Sequence, residues 1–199
     1  MKKFFVRFLI LTLVCIFTAL SANTYAANLT KAEKIENERN EIREMSKTTL
    51  QKLYEKIPIA EHVINISYGY ATLSNTNTNV ILLSKSQGRG VAINNKTGEE
   101  IFMRMKEVGV GLGAGIREYD LIFVFDDREA WDNFLSGKTK LGAEASASAT
   151  DGNVGGTMEG ATLASKGIWV YQITTKGLAL EATVSGTKFY PYKKLNKKY

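Results

Sequence analysis

The sequence predicts an α+β protein, in which N-terminal helices precede a curved, mainly antiparallel and partly barrel-like β-sheet with one inserted helix. From Asn28 to Lys56 the chain is highly charged, and its apolar residues recur at spacings typical of a helix. From Tyr68 onwards the chain consists of short β-prone runs separated by Gly and Asn. These strands do not alternate with long helices, so a parallel, doubly wound sheet is not expected.

The first 26 residues have the layout of a cleaved secretory signal peptide. Three basic residues precede an apolar run from Phe8 to Leu20, and Thr24 and Ala26 provide small residues for cleavage after Ala26. An uncleaved anchor is the alternative, but the run is shorter than the roughly 20 residues of a membrane span. We therefore expect an exported protein, periplasmic or secreted, that can associate with a membrane. The single cysteine, Cys15, lies inside this segment, and the bulky Val14 before it disfavours lipidation.

The charge of the chain is concentrated at its two ends. The formal net charge of +6 falls to +3 without the three basic residues of the signal peptide, and to about −1 without the four tail lysines. A broad nucleic-acid surface is therefore not expected. The predicted organisation is a signal peptide (1–26), an amphipathic helix (27–57), one domain (58–192) and a basic tail (193–199), which is either a contact for anionic membranes or a solvated end.

The first structural element is a long helix predicted over Asn28 to Lys56. Thr30 and Glu33 fit a capping box, in which each residue satisfies a free amide of the other at the helix start. One narrow stripe recurs at spacings of three, four and seven residues: Ile35, Ile42, Met45, Thr49, Leu53 and Ile57. The mixed charge of the remaining surface favours a helix docked on the domain over the alternative, a helix that lies on a membrane.

A second, short helix is predicted to begin at Pro58, in "PIAEHVIN". Strands are then predicted at "YGYATL", "NVILLS", "GVAIN", "EIFMRM", "VGVGLGAG", "DLIFVF", "LGAEASASA", "IWVYQIT" and "LALEATVSG". The segments "NTNTN" and "NKTGE" are predicted hairpin connections, because Asn and Gly tolerate positive φ.

The inserted helix is predicted in "DDREAWDNFLSG". Asp126 or Asp127 is expected to cap its start and Gly137 to end it. Its expected buried face consists of Trp131, Phe134 and Leu135.

The run "VGVGLGAG" does not fit a phosphate-binding loop. Its glycines recur at every second position and another predicted strand follows, whereas nucleotide-binding motifs lead into a helix. We expect a strand whose glycine face permits close approach by a neighbour. These structural glycines are Gly109, Gly111, Gly113 and Gly115.

No constellation of residues indicates an enzyme, and no catalytic residue, metal site or cofactor is predicted. His62 is the single histidine, and no motif presents a nucleophile to it. The acid pairs Glu99-Glu100 and Asp126-Asp127 are explained by turn and cap roles. The large aromatic residues Trp131, Trp169 and Tyr171 are expected to fill the core.

The blocks "KSQGRGVAIN", "VGVGLGAGIREYDLIFVFDDREAWDNFLSGKTKLGAEASASATDGNVG" and "ITTKGLALEATVSGTKF" resemble, in this order, the hallmark blocks of the SYLF domain family. The resemblance extends from about Leu50 to Phe189. A Trp-Ser-Pro element usual in the family is absent, and "EEIFMRM" stands in its place. The resemblance implies a divergent bacterial, exported member that associates with a lipid or membrane surface, whereas eukaryotic members are linked to phosphoinositides and actin.

We therefore predict a non-enzymatic lipid-binding protein whose partner is an anionic phospholipid or membrane surface. An envelope module that binds another protein and no lipid is the alternative. Each basic residue near an anionic surface contributes roughly 1 kcal/mol to binding. The predicted contacts are the basic residues of the first helix, two isoleucines that insert, and the lysine tail: Lys31, Lys34, Arg39, Arg43, Lys47, Ile35, Ile42, Lys193, Lys194, Lys197 and Lys198.

Overall fold

A computed structural model describes residues 29–75, 88–107, 119–137, 141, 158–174, 177–179 and 187–197. The chain divides between Glu38 and Arg39 into two compact units, and each is described by itself. The described helices are α1 (Lys31–Lys56), α2 (Ile59–Ile66) and α3 (Arg128–Ser136). The described strands are β1 (Gly69–Ser74), β2 (Gly88–Asn94), β3 (Glu100–Glu107), β4 (Tyr119–Phe125), β5 (Thr162–Ser165), β6 (Ile168–Thr174), β7 (Gly177–Ala179) and β8 (Thr187–Pro191).

The predicted capping box is present at the start of α1. The backbone N–H of Thr30 donates to Glu33 Oε2 (2.7 Å), and the backbone N–H of Glu33 donates to Thr30 Oγ1 (3.2 Å). The hydrogen bond from the Thr30 backbone lowers the pKa of the Glu33 carboxyl. The helix begins at Lys31 because these two side chains satisfy amides that the first turn leaves free.

The buried stripe of α1 follows the predicted spacing with one correction. Ile42, Thr49 and Leu53 are buried as expected, but Met45 is only half-buried and its neighbour Ser46 is 3% exposed. The hydroxyl of Thr72 on β1 donates to Ser46 Oγ at 2.7 Å, and both residues are buried. The buried hydroxyl of Thr72 needs a hydrogen-bond partner, and Ser46 on the side of α1 that faces the sheet provides it.

The described strands form one antiparallel sheet in the order β5-β6-β4-β1-β2-β3-β8, and β7 pairs with the second half of β6. The paired registers are continuous from β4 through β1 to β2 and β3. The rings of Phe123 on β4 and Phe189 on β8 lie 5.0 Å apart, although these strands are far apart in the sheet order. The sheet is therefore curled, and the predicted fold class is confirmed.

Both faces of the central strand β4 are covered, and all seven of its residues are buried. Phe123 and Phe125 pack on one face with Trp131 and Phe134 of α3. The opposite face belongs to a second cluster, which includes Ile122 and Val124 of β4, Leu53 of α1 and Ile64 of α2. The helices of this unit thus cover opposite faces of the sheet, because β4 carries apolar residues on both of its sides and both sides must be buried.

The predicted turn chemistry is confirmed in the described residues. Asp127 caps α3 by accepting a hydrogen bond from the Ala130 backbone N–H (2.8 Å), and Gly137 ends the helix with a φ of 66°. Gly98 has a φ of 70° in the β2–β3 hairpin, where Asn94 Oδ1 accepts from two turn amides. The strands predicted over residues 79–84 and 108–115 lie outside the described residues, as do Gly109, Gly111, Gly113 and Gly115. Only the first residues of the strands predicted over 141–149 and 178–186, and of the connection predicted over 75–79, are described.

Candidate functional site

The acid pair Asp126-Asp127 has structural partners. Asp126 accepts a hydrogen bond from the indole N–H of Trp169 (3.1 Å), and burial raises the pKa of this carboxyl. Asp127 caps α3. Across the described part of the chain, no three His, Cys, Asp or Glu residues group as metal ligands would. His62 is exposed on α2.

The three large aromatic residues follow the core prediction closely. Trp131 and Tyr171 are buried, and Trp169 is half-buried. Burial raises the pKa of the Tyr171 hydroxyl to about 12, because the phenolate would lose its hydration.

The predicted contacts on α1 occupy different environments. Lys31, Lys34 and Lys47 are exposed, and the Lys47 ammonium lies 2.7 Å from the Glu44 carboxylate. Ile35 and Ile42 are 1% and 0% exposed. In this arrangement neither isoleucine is available to a bilayer.

The guanidinium of Arg39 binds backbone carbonyls of residues 195 and 197. Its Nε and Nη2 atoms donate to the carbonyl of Leu195 at 2.9 and 2.6 Å, and Nη2 also donates to the carbonyl of Lys197 at 2.9 Å. Charge-assisted hydrogen bonds of this kind are stronger than neutral ones. Arg39 therefore acts as an internal clamp rather than as a free positive charge.

The turn that Arg39 holds is residues 192–197, which we call the C-terminal turn. Asn196 exchanges two hydrogen bonds with the backbone of Phe102, each 2.9 Å long, and Leu195 is 0% exposed. This part of the tail is docked on β3, so the alternative of a fully solvated end does not describe its backbone. Lys193, Lys194 and Lys197 are exposed on the docked turn, while Lys198 lies outside the described residues.

An open groove of about 660 Å³ lies between α1, the β2–β3 hairpin and the C-terminal turn. Arg43 binds the Glu100 carboxylate at its wall through three contacts of 2.8 to 3.1 Å. The guanidinium carbons of Arg39 and Arg43 lie 5.8 and 5.4 Å from the centre of the Phe102 ring. Lys197 and Glu99 also line the groove. Both arginines are thus engaged within the protein.

The short helix α2 carries an apolar surface that the sequence analysis missed. Ala60 and Ile64 are buried on one side, whereas Ile59 and Ile66 are 48% and 69% exposed. A separation of seven residues is close to two helical turns, so the two exposed isoleucines lie on the same side of α2. Their separation of seven was the only signal in the sequence, and a helix of eight residues is too short for it to be distinctive.

The β2–β3 hairpin connects this surface to the C-terminal turn. The Asn95 side-chain amide donates to the carbonyls of Ile64 (2.6 Å) and Ser67 (3.1 Å), so the hairpin is bound to the end of α2. The Lys96 ammonium lies 5.0 Å from the centre of the Tyr68 ring. The other side of the hairpin borders the groove that Lys197 also lines. The exposed isoleucines and lysines are therefore carried by neighbouring elements of this unit.

Two comparisons with known proteins give related results. A family described as "Ysc84: Las17-binding protein actin regulator" matches residues 106–199. Beta cell expansion factor A from Aeromonas veronii is 35% identical over 152 residues, which cover 75% of this chain and 55% of that protein. The chain thus spans about half the length of this relative.

Proposed function

We propose that this chain, whose residues 106–199 match the Ysc84 (SYLF) family, is an exported, non-enzymatic protein that binds the surface of anionic phospholipid membranes. The family comprises domains of the lipid-binding and actin-regulator type and is generally non-enzymatic. The predicted signal peptide favours lipid over actin, because an exported protein would not meet cytoplasmic actin. The described helices include none with the length and apolarity that crossing a bilayer requires.

One observation supports the proposal most directly, namely the docked C-terminal turn with its exposed lysines. Arg39, Leu195 and Asn196 fix the backbone of this turn, so Lys193, Lys194 and Lys197 are held near one another. The chain from Ala27 to Tyr192 has a formal charge of about −1. Positive charge is therefore concentrated at the tail, where each basic residue contributes about 1 kcal/mol next to an anionic surface.

Co-sedimentation with vesicles tests this function. We expect the protein from Ala27 to Tyr199, which contains every described residue, to pellet with vesicles that contain phosphatidylglycerol. It should remain in solution with vesicles of phosphatidylcholine alone. Raising the salt from about 0.1 M to 1 M shortens the screening length from about 10 Å to 3 Å and should release the protein.

Two results would contradict the proposal. Equal binding to neutral and anionic vesicles would contradict the role of charge. Absence of binding to both, together with lipid-independent purification of one envelope protein, would instead support the alternative interaction module.

A further inference from the structure

We propose that Ile59 and Ile66 of α2 form the apolar anchor of this protein on an anionic bilayer and insert below the lipid headgroups. The inference rests on the proposed membrane function, but it names a surface that the sequence pattern does not predict. Neither isoleucine belongs to the predicted set of lipid contacts, whose two apolar members, Ile35 and Ile42, are buried. Within the described residues, the exposed large hydrophobic side chains are those of Leu29, Ile59 and Ile66.

The construction of α2 permits insertion without unfolding. Its inner side packs through Ala60 and Ile64 into a core cluster with Ile122 and Val124 of β4. Its C-terminal end is held by the side-chain amide of Asn95, which binds the Ile64 carbonyl. The outer isoleucines are therefore presented by a fixed helix, about 10 Å apart along its axis.

The charge on the elements next to α2 complements an anionic surface. Lys96 lies on the hairpin that contacts the end of α2, and the same hairpin borders the groove lined by Lys197. Lys193 and Lys194 are exposed on the adjoining C-terminal turn. The exposed carboxylates of Glu61 and Glu99 offset only part of this charge. A bilayer that offers anionic headgroups above an apolar interior would satisfy the lysines and the isoleucines together.

The small apolar area favours a bilayer over a protein partner. A stable protein–protein interface buries about 800 Å² on each partner, with shape complementarity at its centre. The exposed apolar area of two separated isoleucines is far smaller than this. Membrane insertion needs no shape complementarity, because each side chain gains simply by leaving water.

Substitution of the two isoleucines is the first half of the test. We expect Ile59→Ser with Ile66→Ser to weaken binding to phosphatidylglycerol vesicles by about twenty-five-fold, or about fivefold for each partly exposed side chain. Leu29→Ser removes a similarly exposed aliphatic group at the start of α1 and should leave binding within about twofold. Circular dichroism of the variants controls for loss of fold.

A fluorescent reporter provides the second half, because the protein from Ala27 contains no cysteine. Ile66→Cys is labelled with the polarity-sensitive dye nitrobenzoxadiazole, and Asn133→Cys on the exposed side of α3 serves as the control. Adding phosphatidylglycerol vesicles should shift the emission of the dye at position 66 to the blue and leave position 133 unchanged.

The outcomes separate this inference from the proposed function. Sedimentation of the protein without a blue shift at position 66, or with an unchanged affinity of the double serine variant, would overturn the inference and leave membrane binding intact. Failure of the unsubstituted protein to bind any vesicle would overturn both. A blue shift at position 66 alone, with weakened binding of the serine variant, supports the anchor.

Discussion

Replacing Phe123 with Ala is expected to lower the free energy of unfolding by about 3–5 kcal/mol, the usual cost of removing a buried aromatic ring. Phe123 lies at the centre of β4 and is 0% exposed. Its ring centre is 4.9 Å from that of Phe134 on α3 and 5.0 Å from that of Phe189 on β8. The substitution therefore leaves a cavity where β4, α3 and β8 meet. Urea-induced unfolding, followed by circular dichroism, measures the change.

A conservative variant distinguishes the effect of losing side-chain volume at position 123 from the effect of changing side-chain shape. Phe123→Leu retains most of the apolar volume and should cost about 1 kcal/mol. An effect of Phe123→Ala below about 1 kcal/mol would show that the three elements do not share a packed core at this position, and would contradict the curled arrangement of the sheet.

Removing the charge of Lys193, Lys194 and Lys197 by substitution with Ala is expected to weaken binding to phosphatidylglycerol vesicles about a hundredfold at low salt. Three lysines at about 1 kcal/mol each amount to about 3 kcal/mol, and 1.4 kcal/mol corresponds to a factor of ten. The effect should shrink as salt is added, because exposed charges are screened. Co-sedimentation over a series of vesicle concentrations measures the affinity.

The control variant changes the same total charge elsewhere. Lys106, Lys166 and Lys188 are exposed on β3, on the β5–β6 turn and on β8. Their triple alanine variant should bind at least tenfold more tightly than the tail variant, because they do not lie on the docked C-terminal turn. Equal losses in the two variants would show that total charge controls binding, and would contradict a localised site.

The parts of the fold that depend on neighbouring residues could be predicted from the sequence. The capping box of Thr30 and Glu33 and the Asp127 cap of α3 each join residues three apart. A capping interaction of this kind requires only the local chain, so the residue types and their spacing predict it. The positive φ of Gly98 and Gly137 follows in the same way from turn chemistry.

The candidate site could not be predicted, because it depends on distant contacts. Arg39 and Leu195 are 156 positions apart, and Arg43 and Glu100 are 57 apart, so no local pattern connects them. The stripe of α1 indicates that one side is apolar, but not whether protein or lipid covers it. The structure answers this for Ile42, which is buried. In α2 the apolar residues lie on both sides, so periodicity alone could not indicate that Ile66 is exposed.

Hydrogen–deuterium exchange, measured with and without phosphatidylglycerol vesicles, tests the central claim that α2 and the elements next to it bind the membrane. The account predicts slower exchange in residues 58–68, 95–98 and 192–197, which contain α2, the hairpin and the C-terminal turn. Exchange in α3 (Arg128–Ser136) should be unchanged. Slower exchange in α3, with no change in residues 58–68, would contradict the account.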